Sequence, residues 1–225
     1  MTASLPPAFH DDWIRAGSRR DTFSVLICSI DVETTLYEHR ETPPIGDCDI
    51  QPRSLLQVDL DLSPPLSALG VDPADAFSLA RGATRDRFVS MLEDEGVVVE
   101  GQTRDLAFDR GDGVGGTWYV FETTHPVGEV RLATETHLAV WPTPKRFAMA
   151  GGTLPLEGPA GANGAASFPV GPDDDREALA AFVRARARAS LESDETDPSG
   201  CDETVDTEPT RDEDGTRVDE RDDAE

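Results

Sequence analysis

The side chains best suited to nucleophilic, acid–base or metal chemistry in this sequence are four histidines and three cysteines, and their spacing assembles none of the familiar sites. His10, His39, His125 and His137 are far apart, and none falls in an H-E-x-x-H arrangement. Cys28, Cys48 and Cys201 contain no C-x-x-C pair and leave an odd thiol over, so no disulfide framework is expected. Imidazole, thiolate and carboxylate are the common ligands of zinc. His39 and Cys48 with Asp47 and Asp49 would bring such ligands together only if their loop folded on itself. No G-x-S-x-G elbow and no G-K-[ST] phosphate loop occurs, and no acid pair stands out among 45 carboxylates. No catalytic, cofactor-binding or metal-binding residue is assigned.

Gly111, Gly113 and Gly116 in RGDGVGGTW match G-x-G-x-x-G by letter. A dinucleotide fingerprint must open a helix, because helix amides and dipole hold the pyrophosphate. Here Thr117–Phe121 follows, with the aromatic and β-branched residues of a strand, so the glycines are expected to turn a hairpin.

Charge shapes every other functional inference. The formal charge is -25, from 45 acidic and 20 basic residues, and Lys145 is the sole lysine. That balance fits a protein of molar-salt cytoplasm. At 1 M ionic strength the Debye length is about 3 Å, so crowded carboxylates hardly repel one another. They would hold water and cations at the surface and keep the chain soluble. The same field opposes nucleic acid, whose binding depends on neutralising phosphates. The amino-terminal run has neither the basic start nor the apolar core of a signal peptide, and Phe23–Ile30 is too short to span a bilayer. A cytoplasmic location without membrane attachment is expected.

The elements that would position any site follow from apolar periodicity. Thr22–Thr35 has apolar residues on both faces and reads as a central strand covered on both sides, with Cys28 in its core. Arg40–Arg53 reads as a loop, and Leu56–Leu62 as a strand with one wet face. Asp72, Pro73 and Asp75 announce a helix carrying the stripe Phe77, Ala80, Thr84, Phe88, Met91 and Leu92, closed at Gly96. Strands are expected at 97–100, 105–108, 117–124, 129–141 and 145–150. In the fourth of these Arg131, Glu135 and His137 share a face read as solvated. Gly151–Pro172 reads as a loop whose Phe168 docks back. A second helix follows from Asp174 to Leu191, with a capping box at Asp174 and Glu177, an apolar stripe at Leu179, Phe182 and Val183, and solvated arginines at its end. The fold class is α+β: an antiparallel sheet flanked by two principal helices, residues 1–192. Residues 193–225, with 15 Asp/Glu against 3 Arg, read as a disordered acidic tail.

The runs LPPAFHDDWIRAG, WPTPKRFAMAGGTLP and DDREALAAFVRARA resemble an uncharacterised family of haloarchaeal cytoplasmic proteins. The order of elements over about residues 5–192 is similar to the PsbP-like fold of an extrinsic photosystem II subunit and the Ran-binding Mog proteins. That resemblance implies a binding or assembly factor with a protein partner, and no family binding residue carries over. The alternative is a small-molecule carrier or enzyme with a pocket between the first helix and the sheet, lined by Phe77, Phe88, Trp118 and Trp141. A third reading gives the acidic tail the role of chaperone or cation buffer.

Overall fold

The computed structural model describes residues 5–25, 28–42, 45, 48–127, 129–143, 146–158 and 171–195. Seven strands form one antiparallel sheet: β1 (Trp13–Val25), β2 (Cys28–His39), β3 (Ser54–Ser63), β4 (Val98–Asp109), β5 (Gly115–Val127), β6 (Val130–Pro142) and β7 (Arg146–Pro155). Their spatial order is β1-β2-β3-β7-β6-β5-β4. The chain lays down one meander, crosses to the far edge through α1 (Pro73–Asp94), and returns strand by strand until β7 docks against β3. The closing helix is α2 (Pro172–Glu195). The α+β class therefore holds.

Alternate residues of the central strands feed two separate cores, one under each helix. Leu56 and Val58 of β3, Tyr119 and Phe121 of β5, Leu138 and Val140 of β6 and Met149 of β7 meet Phe77, Phe88 and Leu92 of α1. Leu55, Ala139, Trp141, Ala148 and Ala150 face the other way, onto Leu179, Phe182 and Val183 of α2. A 3-10 turn at Pro7–Phe9 adds Phe9 to this second core, its ring 5.6 Å from that of Phe182.

The first helix starts as its sequence dictates. Asp72 accepts from the amides of Ala74 at 2.8 Å and Asp75 at 3.3 Å, and Pro73 needs no donor partner there. It ends where Gly96 takes φ +87°, a conformation that side chains disfavour, so that the Val97 amide can donate to Leu92 O at 2.9 Å.

Several expectations need correction. The run 22–35 is two paired strands, not one central strand: β1 is an outermost strand and Phe23 is 48% exposed; residues 26–27 lie outside the described residues, as does the side chain of Cys28. The two segments 97–100 and 105–108 are one strand, β4, interrupted by bulges at Val99/Gly101 and Gln102/Arg104 that broke its alternation. Strand β7 runs on through Gly151 and Gly152, where an added Cβ would collide with the carbonyls of His137 and Ser54. Proximity of neighbouring backbone, not a turn, explains those glycines. The α2 helix opens at Pro172, so Asp174 sits inside the first turn and is no cap. Phe168 and the acidic segment beyond 195 lie outside the described residues.

Candidate functional site

Of the three polar residues read as solvated on β6, Arg131 is exposed as expected, whereas Glu135 and His137 are buried beneath α2. His137 and Glu135 are each 8% exposed, held between β5 and the first turns of α2. An indole N–H can only donate, and Trp118 Nε1 lies 3.0 Å from His137 Nδ1, so Nδ1 is the accepting nitrogen. The proton then sits on Nε2, which donates to Glu135 Oε1 at 2.7 Å. Arg176 completes the chain, donating to both carboxylate oxygens of Glu135 at 2.8 and 3.3 Å and to Asp173 at 2.9 Å. The His137 hydrogen bond first, and Arg176 after it, hold the Glu135 carboxyl down to about 2 despite the opposing effect of burial. A glutamate orienting a histidine is half of an acid–base site. Here the other ring nitrogen is occupied by Trp118, so the imidazole has no atom to offer a substrate.

Of the other α2 arginines, Arg184 and Arg188 are exposed as expected, whereas Arg186 is buried. Leu179, Phe182, Val183, Arg186, Ala187 and Ser190 form one buried stripe, so Arg186 points inward rather than ending a solvated helix. It meets Asp59 at 3.7 Å, on the β3 face expected to be wet, where Gln57 is also buried and donates to Asp59 at 2.7 Å. Burial lowers the Arg186 pKa from its ordinary value, with Asp59 acting against the shift. At the other end of the helix Arg53 holds Asp175 in a pair whose side chains are 11% and 9% exposed.

On the α1 face a ladder of threonines crosses three strands. Thr123 Oγ1 lies 2.7 Å from Thr134 and 2.9 Å from Thr136, and Thr136 lies 3.0 Å from Thr153. His125, 1% exposed, joins through Nδ1 to Thr134 at 3.0 Å. Burial, against a smaller pull from the backbone of Ile50, lowers its pKa to about 4, so the ring is neutral at ordinary pH. Beside Thr136, Thr153 and Ser54 is a cavity of about 10 Å³, closed by Ile50, Phe88 and Leu92. That is room for about one water molecule, not for a substrate.

The proposed aromatic pocket does not form. Phe77 and Phe88 lie on the α1 side of the sheet, whereas Trp118 and Trp141 lie on the α2 side. Odd and even strand positions separate them, so no single pocket can have all four as lining.

The glycine motif turns the β4–β5 hairpin as expected. Gly111 and Gly113 take φ +108° and +83°, and Gly116 sits so close to β6 that a Cβ would lie 2.5 Å from Val140 O. The turn amides are already satisfied: Asp109 accepts from Gly111 N at 2.7 Å and Asp112 from Val114 N at 3.1 Å. Arg110 is buried there, donating to Asp112 and to Pro142 O. A strand follows instead of a helix, so no dipole awaits a phosphate.

The other nominated residues stay apart. His10 Nε2 bonds Leu5 O at 2.8 Å, and the His39 ring stands edge-on to Trp13 at 5.2 Å, its pKa lowered by burial and then by Arg53. Cys48 is buried in the 40–53 loop, which Gln51 braces through Cys48 O and Ile45 N. Asp47 and Cys201 lie outside the described residues. Glu95, raised by burial and by a hydrogen bond with Asp49, is the one shared-carboxyl contact of note. Among the described residues no group of three His, Cys, Asp or Glu is placed to hold a metal ion, and no helix is long and apolar enough to cross a membrane.

What the fold leaves unused is apolar. The main contacts of α1 are with β4, β5 and β6. The same face of β2 and β3 carries Ile30, Val32, Leu60 and Leu62, all half-buried, with Ile30 opposite Leu62 and Val32 opposite Leu60; Val32 and Leu60 pack on the edge of the α1 core, and Ile30 and Leu62 lie beyond them. Phe23 of β1 stands opposite Ile30 at the rim. Leaving β3 at this same end, the chain exposes Leu69 and Val71 at 37% and 39% before α1 begins.

A family model described as a domain of unknown function (DUF6517) matches residues 13–187, from the first residue of β1 into α2. The chain belongs to that family. No curated protein and no solved structure matches it. The DUF6517 domain thus includes all seven strands, the α1 crossover and the inward stripe of α2 as far as Ala187.

Proposed function

We propose that this DUF6517 domain is a noncatalytic protein-binding or assembly module of a high-salt cytoplasm, and that it docks its partner on the open end of the α1 face. The observation carrying this reading is the contrast between the polar groups and the apolar floor. The Trp118–His137–Glu135–Arg176 chain is closed on itself. The row Ile30, Val32, Leu60 and Leu62, with Leu69 and Val71 beyond it, is left partly uncovered. Exposed apolar groups gathered in one place favour burial against another surface. With a formal charge of -25 around that floor, the matching partner presents an apolar segment flanked by basic residues. A PsbP-like arrangement belongs to the same proposal, supported by a meander before the helix, a meander after it and a closing helix.

The test is affinity capture in molar KCl from cells that express the chain natively, with wild type beside Leu62→Glu. A discrete partner retained by wild type and lost from the variant supports the reading. Recovery of the chain alone in both cases contradicts it.

A further inference from the structure

Among the described residues, strand β1 has one hydrogen-bonded neighbour, β2, and the backbone groups along its other side meet no further strand. Natural sheets blunt such edges with bulges, prolines and charged side chains. The two edges of this sheet differ in that respect. Strand β4 carries two bulges, whereas β1 has a single irregularity at Arg15/Gly17 and pairs without interruption from Gly17 to Val25. Its edge charges are also of both signs: Arg19 and Asp21, two residues apart and on the same face, form an ion pair at 2.8 Å with side chains 73% and 33% exposed.

We propose that β1 pairs antiparallel with β1 of a second copy, about a two-fold axis at Arg20, joining two sheets edge to edge. A two-fold across an antiparallel pair fixes which residues meet, and the charge pattern selects the register. With Arg20 opposite itself, Arg19 faces Asp21 of the second copy and Asp21 faces its Arg19, making a ring of four alternating charges. Phe23 then lies over Gly17 of the other copy, where nothing stands within 4 Å of an added Cβ. An aromatic ring covering a cross-strand glycine is a favourable pair and accounts for the exposure of Phe23. The like-charged pair at the axis is offset because each Arg20 is already held by its own Glu33 at 2.8 Å. Moving the two-fold axis by one residue, a slide of two, sets Arg19 against Arg19 or Asp21 against Asp21, which penalises the nearest registers that keep the same faces together. The inference does not rest on the partner-docking surface proposed above, because it uses the edge of the sheet rather than the open face of β2 and β3.

Sedimentation of the full chain in 1 M KCl tests this, with a dimer expected. Asp21→Arg and Arg19→Asp each place like charges in the ring and, measured in 0.2 M KCl where surface charges are less screened, are expected to raise the dimer dissociation constant by about tenfold or more; the double exchange, Arg19→Asp with Asp21→Arg, restores it to within about threefold. These side chains are on the surface, and circular dichroism checks that each variant is folded. As a second readout, with Cys28 and Cys201 replaced by Ser, Arg20→Cys should cross-link to its own copy, since paired Cα atoms stand about 5 Å apart. Thr22→Cys should not, its copy being about 13 Å away at the rise of a strand. A monomer at all concentrations, a dimer indifferent to the charge exchanges, or cross-linking that favours Thr22→Cys overturns the proposal.

Discussion

The two faces of the sheet are covered by different chemistry. Under α2 the contact is part apolar and part ionic: Phe182 and Val183 fill the middle, while Arg53–Asp175, Glu135–Arg176 and Asp59–Arg186 tie the helix to β3, β6 and the segment before β3. Under α1 the contact is apolar, with a threonine ladder below it, and one end of the face is left open. Ion pairs of low exposure add little net stability, because desolvation offsets their attraction, but they fix one orientation and penalise others. Apolar contact is less particular about its occupant. Among the described residues, then, the α2 side is the more completely covered, and the α1 side leaves apolar side chains half-buried.

The largest effect that would separate the faces is loss of a central ring. Phe182→Ala removes a side chain with no exposure that touches Phe9 and Tyr37, and should cost about 3–5 kcal/mol in urea unfolding. Phe77→Ala, nearer the open end and 8% exposed, should cost about 2–3 kcal/mol, at or below the lower end of that range. Equal losses would mean that the α1 face is as closed as the other.

Acid should attack the α1 face first. His125 has a folded pKa of about 4 against 6.5 unfolded, so between those values the unfolded chain binds more protons and stability falls with pH. The loss approaches about 3 kcal/mol near pH 4. On the α2 face, Glu135 is held at about 2, below its ordinary 4.5, and its contribution is lost only as pH falls from 4.5 toward 2. Urea midpoints measured from pH 7 to 3 should decline in that order, and His125→Asn should flatten the upper part alone. A decline that begins below pH 4.5 in wild type would place the sensitive group elsewhere.

Much of this architecture is legible in the chain, and what is not shares one cause. Asp72, Pro73 and the Phe77–Leu92 stripe specify α1 because cap and periodicity are local signals. The Gly111–Gly113 turn is legible for the same reason. Arg186, Gln57 and Glu135 were expected in solvent because each is polar at a position of alternating pattern, yet each is buried. Their partners are supplied by a distant element: Arg176 reaches Glu135 from 41 residues away. Two polar stripes that cover each other look like two wet faces until both are seen together. The first strand was missed for the opposite reason: Ile14–Arg20 is exposed on both faces and carries no core periodicity, while the apolar run shared by β1 and β2 contains no Gly or Pro to mark the break between them.

A smaller effect sharpens the comparison at the α1 terminus. Asp72→Ala should cost about 1 kcal/mol, since water replaces the lost cap at an exposed helix start. Thermal unfolding of this variant in molar KCl measures it, and a loss as large as that of Phe77→Ala would make the cap more than local.

The most direct measurement compares two leucines of similar exposure: Leu69, 37% exposed in the segment that leaves β3, and Leu106, 47% exposed on the far edge strand β4. A photo-crosslinking residue is placed at each in turn, and the chain is irradiated in living cells. The account predicts a discrete protein adduct from position 69 and none from 106. Adducts from both in equal yield, or from neither, would contradict it.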